Sequence, residues 1–512
     1  MHFRASSPYD FHRPSKCELR VALRHRGVPE AEPNEFVELL RRLGERHEKA
    51  HLATLTDVVD LSGLEDEQAR ERETLAAIRE GAPVIYQARF RAAVSLDGEP
   101  HDLVGEPDFL IRAPGRDGYL IRDSKLARHI GDGHHPEIVL QLQLYGWLYE
   151  RAVGAPSAGL EVHCGTGDLV PVPYDGGEAA LGFLRDLRRM RLTPEDAYEP
   201  VGWSKCGDCG YRDLCWKQAE AARDVALLPG VDQGWARKLR EHGVPDIPAL
   251  RAAFDRPDLR DLFYDRATKK KPERIKPAAL TIRRSLEAHE SKAAVPIAPV
   301  ELPDPSNCVM LDLEDLPPHL DDLEKIYLWG IKDFRCDLPR YLHADAGFGQ
   351  DGDRCGWEDF LRIAADLLDA SPDLRFVHYG NYERTKINLY VGQFGDPTGT
   401  AGRVLDRLFD LHRAVTRSVA LPVPSYGLKE VEKLAGFTRK LPDAGGAWAM
   451  CRYIEATETS DPTARHAIIE QILAYNEEDL DATWAVMRWS ARIEQTSEIT
   501  DFDQHKPSTG TA

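Results

Sequence analysis

The sequence predicts an α/β protein of more than one domain, and three observations carry that expectation. At 512 residues the chain exceeds what one ordinary hydrophobic core holds. Its apolar content of 42% suits globular folding. From about Ser306 to Ile493, strand-like apolar runs alternate with stretches of helical periodicity, the pattern of a layered α/β fold. Composition divides the chain at 1–226, 227–303, 304–495 and a polar tail, 496–512, expected to be disordered.

The net charge of −19 argues against a protein that coats nucleic acid by bulk electrostatics, so any surface gripping a phosphate backbone must be local. Candidates are Arg20 to Arg26 and the block Lys269, Lys270, Lys271, Arg274, Lys276, each of which also reads as solvated surface. An acidic balance is compatible with a nuclease, because metal-binding carboxylates make active sites acidic. Nine irregularly spaced cysteines do not form a secreted disulfide scaffold. No basic-then-apolar leader opens the chain, and no apolar run reaches the roughly 18 residues of a membrane span. A cytoplasmic protein with reduced thiols is expected, without a membrane partner.

In the first region, LLRRLGERHEKAHL reads as an amphipathic helix carrying His47, with His51 one turn later. GEPDFLIRA is a strand that places Asp108 beside Phe109, Leu110 and Ile111. Pro114, Gly115, Asp117 and Gly118 suit a hairpin turn, and GYLIRDSKLAR is the second strand. Asp123 and Lys125 are two apart on it and so share a face. Carboxylates converging from adjacent strands can hold Mg²⁺ or Mn²⁺. A lysine beside them can orient water and offset charge developing on a phosphate. Downstream, QLQLYGWLYE falls on a helix with Gln141 and Tyr145 on one face.

Cys17 stands apart from a C-x2-C-x5-C run, Cys206, Cys209 and Cys215. These four could hold zinc or an iron–sulfur cluster, and composition does not choose. The other cysteines, Cys164 and Cys308 among them, lack ligand spacing and read as buried small residues. In the middle region LLPGVDQGWARKLREHGVPDIPAL reads as helix, tight turn, helix, with Gly230 and Gly243 at turns. It resembles a helix-hairpin-helix element, and a plain helical connector competes with that reading. VPIAPVELPDP looks like an extended linker.

In the last region CVMLDLEDL is a strand with Asp312 and Glu314 on one face, and FVHYGNYERT presents Glu383 after a strand and turn. LAYNEEDLDAT puts Asp479 on a helix with Tyr475 one turn before it. Acids from a first strand and a late helix are what a two-metal phosphodiesterase needs. Asp410 in LFDLHRAV is a further candidate near the site. SYGLKEVEKLAGF, with Tyr426 and Lys429, resembles the segment that RNase H-like exonuclease domains use near nucleic acid.

The set Gly44-x2-His47, Pro107-Asp108, Asp123-Ser124-Lys125 and Gln141-x3-Tyr145 resembles the RecB-like branch of PD-(D/E)xK nucleases. That implies a restriction-endonuclease-like α/β/α core in which His47, Asp108, Asp123 and the Ser124 carbonyl ligate metal. Lys125 would be the catalytic lysine, with Gln141 and Tyr145 supporting the site. The order of Cys17, Cys206, Cys209 and Cys215 resembles that of AddB-type and CRISPR-adaptation nucleases, which implies a [4Fe–4S] cluster as a structural staple. The last region resembles the DEDD exonucleases of the RNase H-like superfamily, with Tyr475-x3-Asp479 matching their tyrosine variant. By that resemblance Asp312, Glu314, Glu383 and Asp479 bind metal and Tyr475 positions water, although Glu383 stands where an Asp is usual.

The resemblances together imply a metal-dependent DNA nuclease, exonucleolytic on single-stranded ends, in DNA repair or end processing. The chain holds no Gly-Lys pair and hence no P-loop, so any unwinding would come from a helicase in trans. The rival reading is a nucleic-acid-binding iron–sulfur scaffold with a catalytically weak RNase H-like domain.

Overall fold

The computed structural model describes residues 1–113, 115, 117–131, 133–253, 256, 278–316, 325–347 and 349–493. The lysine block at Lys269 to Lys276 and the polar tail 496–512 lie outside the described residues. The fold is mixed α/β. Its described residues form two compact units: 1–199 with 205–212, and 200–204 with 213–316 and 325 onward.

The first unit holds two sheets. In the smaller, β1 (His2–Arg4) runs parallel to β5 (Glu99–Gly105), which pairs antiparallel with β4 (Phe90–Leu96). The larger contains β2 (Val58–Asp60), β3 (Val84–Tyr86), β6 (Phe109–Arg112), β7 (Tyr119–Ser124), β8 (Gly159–His163) and β9 (Leu169–Val172), in the order β2-β3-β6-β7-β8-β9. The predicted hairpin is β6–β7, antiparallel with Phe109 opposite Arg122 and Leu110 opposite Ile121. Side chains alternate along a strand, so the two faces of β7 do different work. Tyr119 and Ile121 enter a core shared with Ile138, Leu142 and Leu148 of the helix Pro136–Val153. Arg122, the residue after Ile121 and so on the opposite face, meets His51 of the helix Glu35–Leu52 (2.9 Å) and Glu161 (2.6 Å). Asp123 follows the parity of Ile121 and faces the buried helix.

One close approach in this unit depends on a missing side chain. A Cβ on Gly105 would lie 2.6 Å from Leu148 Cδ1 and 2.8 Å from Tyr145 Cδ1. Glycine therefore lets the helix bearing Tyr145 settle against β5.

In the second unit, β10 (Val295–Pro296) pairs antiparallel with β16 (Val419–Ala420). Five strands make the main sheet: β11 (Cys308–Leu316), β12 (Lys325–Asp333), β13 (Arg340–Asp345), β14 (Arg375–His378) and β15 (Leu408–Asp410), in the order β13-β12-β11-β14-β15. The first three are antiparallel neighbours, whereas β14 is parallel to β11 and β15 to β14. Val309, Leu311 and Leu313 of β11 pack into a core with Trp329, Trp357 and Phe360, where Trp329 stacks on Phe360 at 4.4 Å. Cys308 and Met310 face the other way, with Leu480, Val486 and Met487 of the helix Pro462–Ser490. By that alternation Asp312 and Glu314 look toward the late helix.

Two local expectations change. The proline-spaced stretch read as an extended linker is extended but tied down. Val295 pairs with Ala420, and the amides of Ile297 and Ala298 both donate to Ser418 O, at 2.7 and 3.1 Å. The arginine-rich stretch Arg20 to Arg26 is an internal brace instead of a phosphate-gripping surface. Arg20 is only 7% exposed and donates to Glu30 and to the Asp10 carbonyl, Arg24 pairs with Asp10 and Glu30, and Arg26 donates to the Thr193 carbonyl. The helix–turn–helix of the middle region is present as Gln233–Glu241 and Ile247–Ala253, with Gly243 at φ 75° in the turn.

Candidate active sites

The first unit gathers Asp108, Asp123 and Lys125 at one end of the β6–β7 hairpin. Asp108 lies just before β6, and its Oδ2 accepts from the Ser124 amide at 2.8 Å. Lys125 Nζ is 2.5 Å from Asp123 Oδ2, and its own amide donates to the His163 carbonyl at 2.9 Å. Burial opposes the lysine charge, yet the carboxylates of Asp123 and Asp108 outweigh it and hold the ammonium above its ordinary pKa. Burial and the neighbouring Asp123 push Asp108 well above the usual carboxylate range. Gln141 Nε2 donates to Tyr145 Oη (2.8 Å), which donates to the Glu106 carbonyl (3.0 Å).

His47 and His51 form a ring stack with His163, at 4.3 Å and 4.0 Å between centroids. Burial, then Arg122 for His51 and His51 for His163, lowers both His51 and His163 to about 4, so these two rings are neutral at physiological pH. His163 Nδ1 is 3.2 Å from Ser124 Oγ, so the stack meets β7 at Ser124. His47 Nε2 is buried and has no hydrogen-bond partner among the described residues. The link from this helix to the carboxylates runs through Glu48, which accepts from Gln87 Nε2 (2.7 Å), and that same nitrogen is 3.3 Å from Asp108 Oδ1. Gln87 sits at φ 56°, unusual outside glycine. Neither Glu48 nor Gln87 was singled out by sequence.

The cysteine run begins in a tight turn, with the Cys209 amide donating to the Cys206 carbonyl at 3.2 Å. Lys205 to Tyr211 is stitched to the N-terminal segment by Ser15 Oγ to the Lys205 carbonyl (2.5 Å), the Ala31 amide to the Gly210 carbonyl (3.1 Å) and Tyr211 Oη to the Val28 carbonyl (2.9 Å). Burial pushes the Cys17 thiol up, and Cys209 adds to the shift, so these two sulfurs share a neighbourhood. Cys215 lies on the helix Arg212–Ala222. Cys164, Cys308 and Cys451 are buried as small apolar residues, whereas Cys336 and Cys355 are exposed, contrary to the burial expected for them.

In the second unit Asp312, Glu314 and Asp479 offer ligand oxygens that all lie within 4.8 Å of one another, the one such group of three among the described residues. Asp312 and Glu314 come from β11, which has a register shift against β12 immediately after Glu314. Asp479 comes from the helix Pro462–Ser490, and Tyr475 one turn earlier is hydrogen-bonded to it. Burial raises all three carboxyls; repulsion from acidic neighbours adds to it at Asp312 and Glu314, whereas at Asp479 Arg439 partly counters it. A set of hard oxygen donors crowded this way fits a divalent cation.

Two residues that sequence reasoning missed hold this group in place. Asn476, fully buried, donates from Nδ2 to Asp312 Oδ2 (2.7 Å) and accepts from Tyr341 Oη (2.9 Å). Arg439 bridges Asp479 Oδ1 (2.5 Å) to both oxygens of Glu432 (2.7 and 2.8 Å). Glu383 stands aside: its Oε2 is 2.8 Å from His378 Nδ1, buried, with neither atom aligned for a hydrogen bond among the described residues. Asp410 caps the helix Leu411–Ser418 by accepting from the Arg413 amide (2.9 Å), so its carboxylate is committed to backbone. Tyr426 is likewise committed, bonded to the Val419 carbonyl, while Lys429 reaches the Ala444 carbonyl and senses Asp479.

Residues 310–491 match the RNase_H superfamily. The superfamily domain therefore spans β11 through the late helix and includes Asp312, Glu314, Tyr475 and Asp479. No curated protein matches the chain. A solved structure titled "Crystal structure of SSO0001" is 15% identical over 35% of this chain and 96% of its own, with a TM-score of 0.19. Among the described residues no helix is long and apolar enough to cross a membrane.

Gly330 lies opposite Asp312 in the β11–β12 register, and a Cβ there would sit 1.8 Å from Asn476 Oδ1. Gly330→Ala is expected to destabilise this domain by about 1–3 kcal/mol through overpacking. Asn476→Ala added to it should recover part of that loss, a coupling read by urea denaturation of both single variants and the double.

The raised carboxyls also set a pH dependence. The native state retains protons on Asp312, Glu314 and Asp479 that the unfolded chain releases near pH of about 4. Metal-free protein in EDTA should therefore lose stability as pH rises above that value, and Mg²⁺ or Mn²⁺ should flatten the slope. Hydrogen bonds to Arg335 hold Asp333 at about 2, and Glu137 is at about 2 because its His135 and Arg13 contacts outweigh burial. Their contribution is present above about pH 4 and lost toward pH 2, in a separate window. Calorimetry across pH, with and without metal, distinguishes the two.

Proposed function

We propose that this protein is a metal-dependent DNA nuclease with two hydrolytic sites, acting on single-stranded ends in repair or end processing. The observation that carries the reading is the convergence of Asp312, Glu314 and Asp479 within an RNase_H superfamily domain. The arrangement of Asp108, Asp123 and Lys125 supports a second, RecB-like site in the first unit. Each acidic group would hold Mg²⁺ or Mn²⁺, which lowers the pKa of bound water and neutralises charge on the phosphate.

Around that chemistry the side chains have separate tasks. In the C-terminal site Asn476 and Arg439 keep Asp312 and Asp479 from turning away from one another, and Tyr475, bonded to Asp479, orients the attacking water. Glu383 is a weaker candidate for the same ligand set. In the N-terminal site Lys125 stays protonated beside Asp123 and is placed to meet negative charge growing on the scissile phosphate. The Ser124 amide fixes Asp108, and Gln141 with Tyr145 braces the helix behind it. Ser124 O and His47 complete the proposed ligand set.

Cys17, Cys206, Cys209 and Cys215 are proposed to hold a [4Fe–4S] cluster that staples the N-terminal segment, in a protein that works in the reducing cytoplasm with a helicase supplied in trans. The shared neighbourhood of Cys17 and Cys209 supports a thiolate centre.

Lys125→Ala and Asp479→Asn should each remove one Mg²⁺- or Mn²⁺-dependent activity on end-labelled single strands, by on the order of 10²–10³-fold. Undiminished digestion by the double variant would refute the assignment, and strand binding without turnover in the native protein would leave a scaffold instead. Anaerobically purified protein should be brown and contain iron, and Cys17→Ser should lose both colour and iron. A colourless, zinc-containing protein would replace the cluster with a zinc staple.

A further inference from the structure

One residue bonded to the N-terminal site has no task in the scheme above, and it holds a backbone conformation that glycine would adopt more readily. Tyr86 pairs with Phe109 between β3 and β6, so Gln87 falls opposite Asp108 just past the paired residues. Its amide donates to the Asp108 carbonyl at 2.8 Å. Gln87 does this at φ 56°, in the left-handed region. That region costs a residue with a Cβ about 1–2 kcal/mol, and glycine enters it freely. A side chain kept there points to a task for it.

The side chain bridges two acids. Gln87 Nε2 donates to Glu48 Oε1 at 2.7 Å and reaches Asp108 Oδ1 at 3.3 Å. Its two hydrogens allow one bond to each carboxylate, whereas a reversed amide would set its carbonyl oxygen against both. Glu48 is itself anchored, because the same Oε1 accepts from Tyr86 Oη at 2.8 Å. The other oxygen of Asp108, Oδ2, accepts from the Ser124 amide at 2.8 Å. Each oxygen of Asp108 therefore carries one donor, which fixes a side-chain torsion that is otherwise broad for Asp. An ionised carboxylate accepts about four bonds, so lone pairs remain for a cation. Glu48, Gln87 and Asp108 each keep part of their surface in solvent, so an ion can reach the group.

We infer that Gln87, anchored by Glu48, is a positioning residue of the N-terminal site and sets the direction in which Asp108 presents its remaining lone pairs to a divalent cation. The inference rests on the nuclease reading of that site. Lys125 Nζ pairs with Asp123, so it leaves the aim of Asp108 to other groups. The amide nitrogen of Gln87 is a donor only, so it acts through Asp108 and not as a ligand. Hydrogen-bond partners of metal-ligating carboxylates typically change affinity or activity by about 10- to 100-fold when removed.

The test is made in full-length protein carrying Asp312→Asn and Asp479→Asn, so that Mn²⁺ uptake and cleavage report on the first site. Gln87→Gly removes the bridging amide and suits φ 56°, so its melting temperature should stay close to that of the parent. Its Kd for Mn²⁺, read from the paramagnetic resonance of the free ion, should rise by on the order of 10- to 100-fold. On a labelled single-stranded oligothymidine kcat should fall, with KM for the strand level at saturating Mn²⁺. Glu48→Leu should reproduce both losses, and Glu48→Gln, which keeps an acceptor for the same amide, should lose less. A glutamine that only packs leaves Mn²⁺ affinity and kcat unchanged in Gln87→Gly, and that outcome overturns the inference alone. If Lys125→Ala in this background leaves cleavage intact, the hydrolytic reading of the site falls, while the Mn²⁺ titration still decides whether Gln87 aims Asp108. A parent that takes up no Mn²⁺ overturns both.

Discussion

Mutual repulsion among Asp312, Glu314 and Asp479 is the constraint around which the second unit is arranged. Three carboxylates within 4.8 Å would separate if their carriers could move. Two of them are fixed two residues apart on a central strand, and the third is carried on a long helix packed across the same face. Asn476 and Arg439 then take up one oxygen each on Asp312 and Asp479. Gly330, opposite Asp312, leaves the room that Asn476 occupies. Removing any of these loosens a group whose members would otherwise drift apart.

The first unit handles the same problem with a built-in cation. Lys125 sits beside Asp123, and its charge is favoured because two carboxylates surround it. That site needs fewer supports, and its braces are a backbone amide on Asp108 and the Gln141–Tyr145–Glu106 chain. The histidines stacked at Ser124 include two that burial holds neutral, His51 and His163, so these two bring no charge to it.

Much of both sites was legible because periodicity is local. Spacing of two on a strand placed Asp312 with Glu314 and Asp123 with Lys125, and spacing of four on a helix placed Tyr475 with Asp479. Residues whose roles depend on distant partners were not legible. Asn476 matters because Gly330 lies beneath it, and no pattern in either segment announces the other. Arg439 reads as an ordinary loop arginine until Glu432 and Asp479 are seen beside it. Arg20 to Arg26 looked like a basic surface because sequence does not show Asp10 and Glu30 folding back onto it.

The pairing of Val295–Pro296 with Val419–Ala420 alters how the molecule can be divided. A shortened chain beginning at Ser306 would strip the partner from that strand, leaving its amides and carbonyls open to water or to another copy. It would also deprive Ser418 of the Pro299 carbonyl to which its hydroxyl donates. What reads as a dispensable tether is a protective hem on the domain it precedes, and a fragment intended to isolate the acidic trio should retain it.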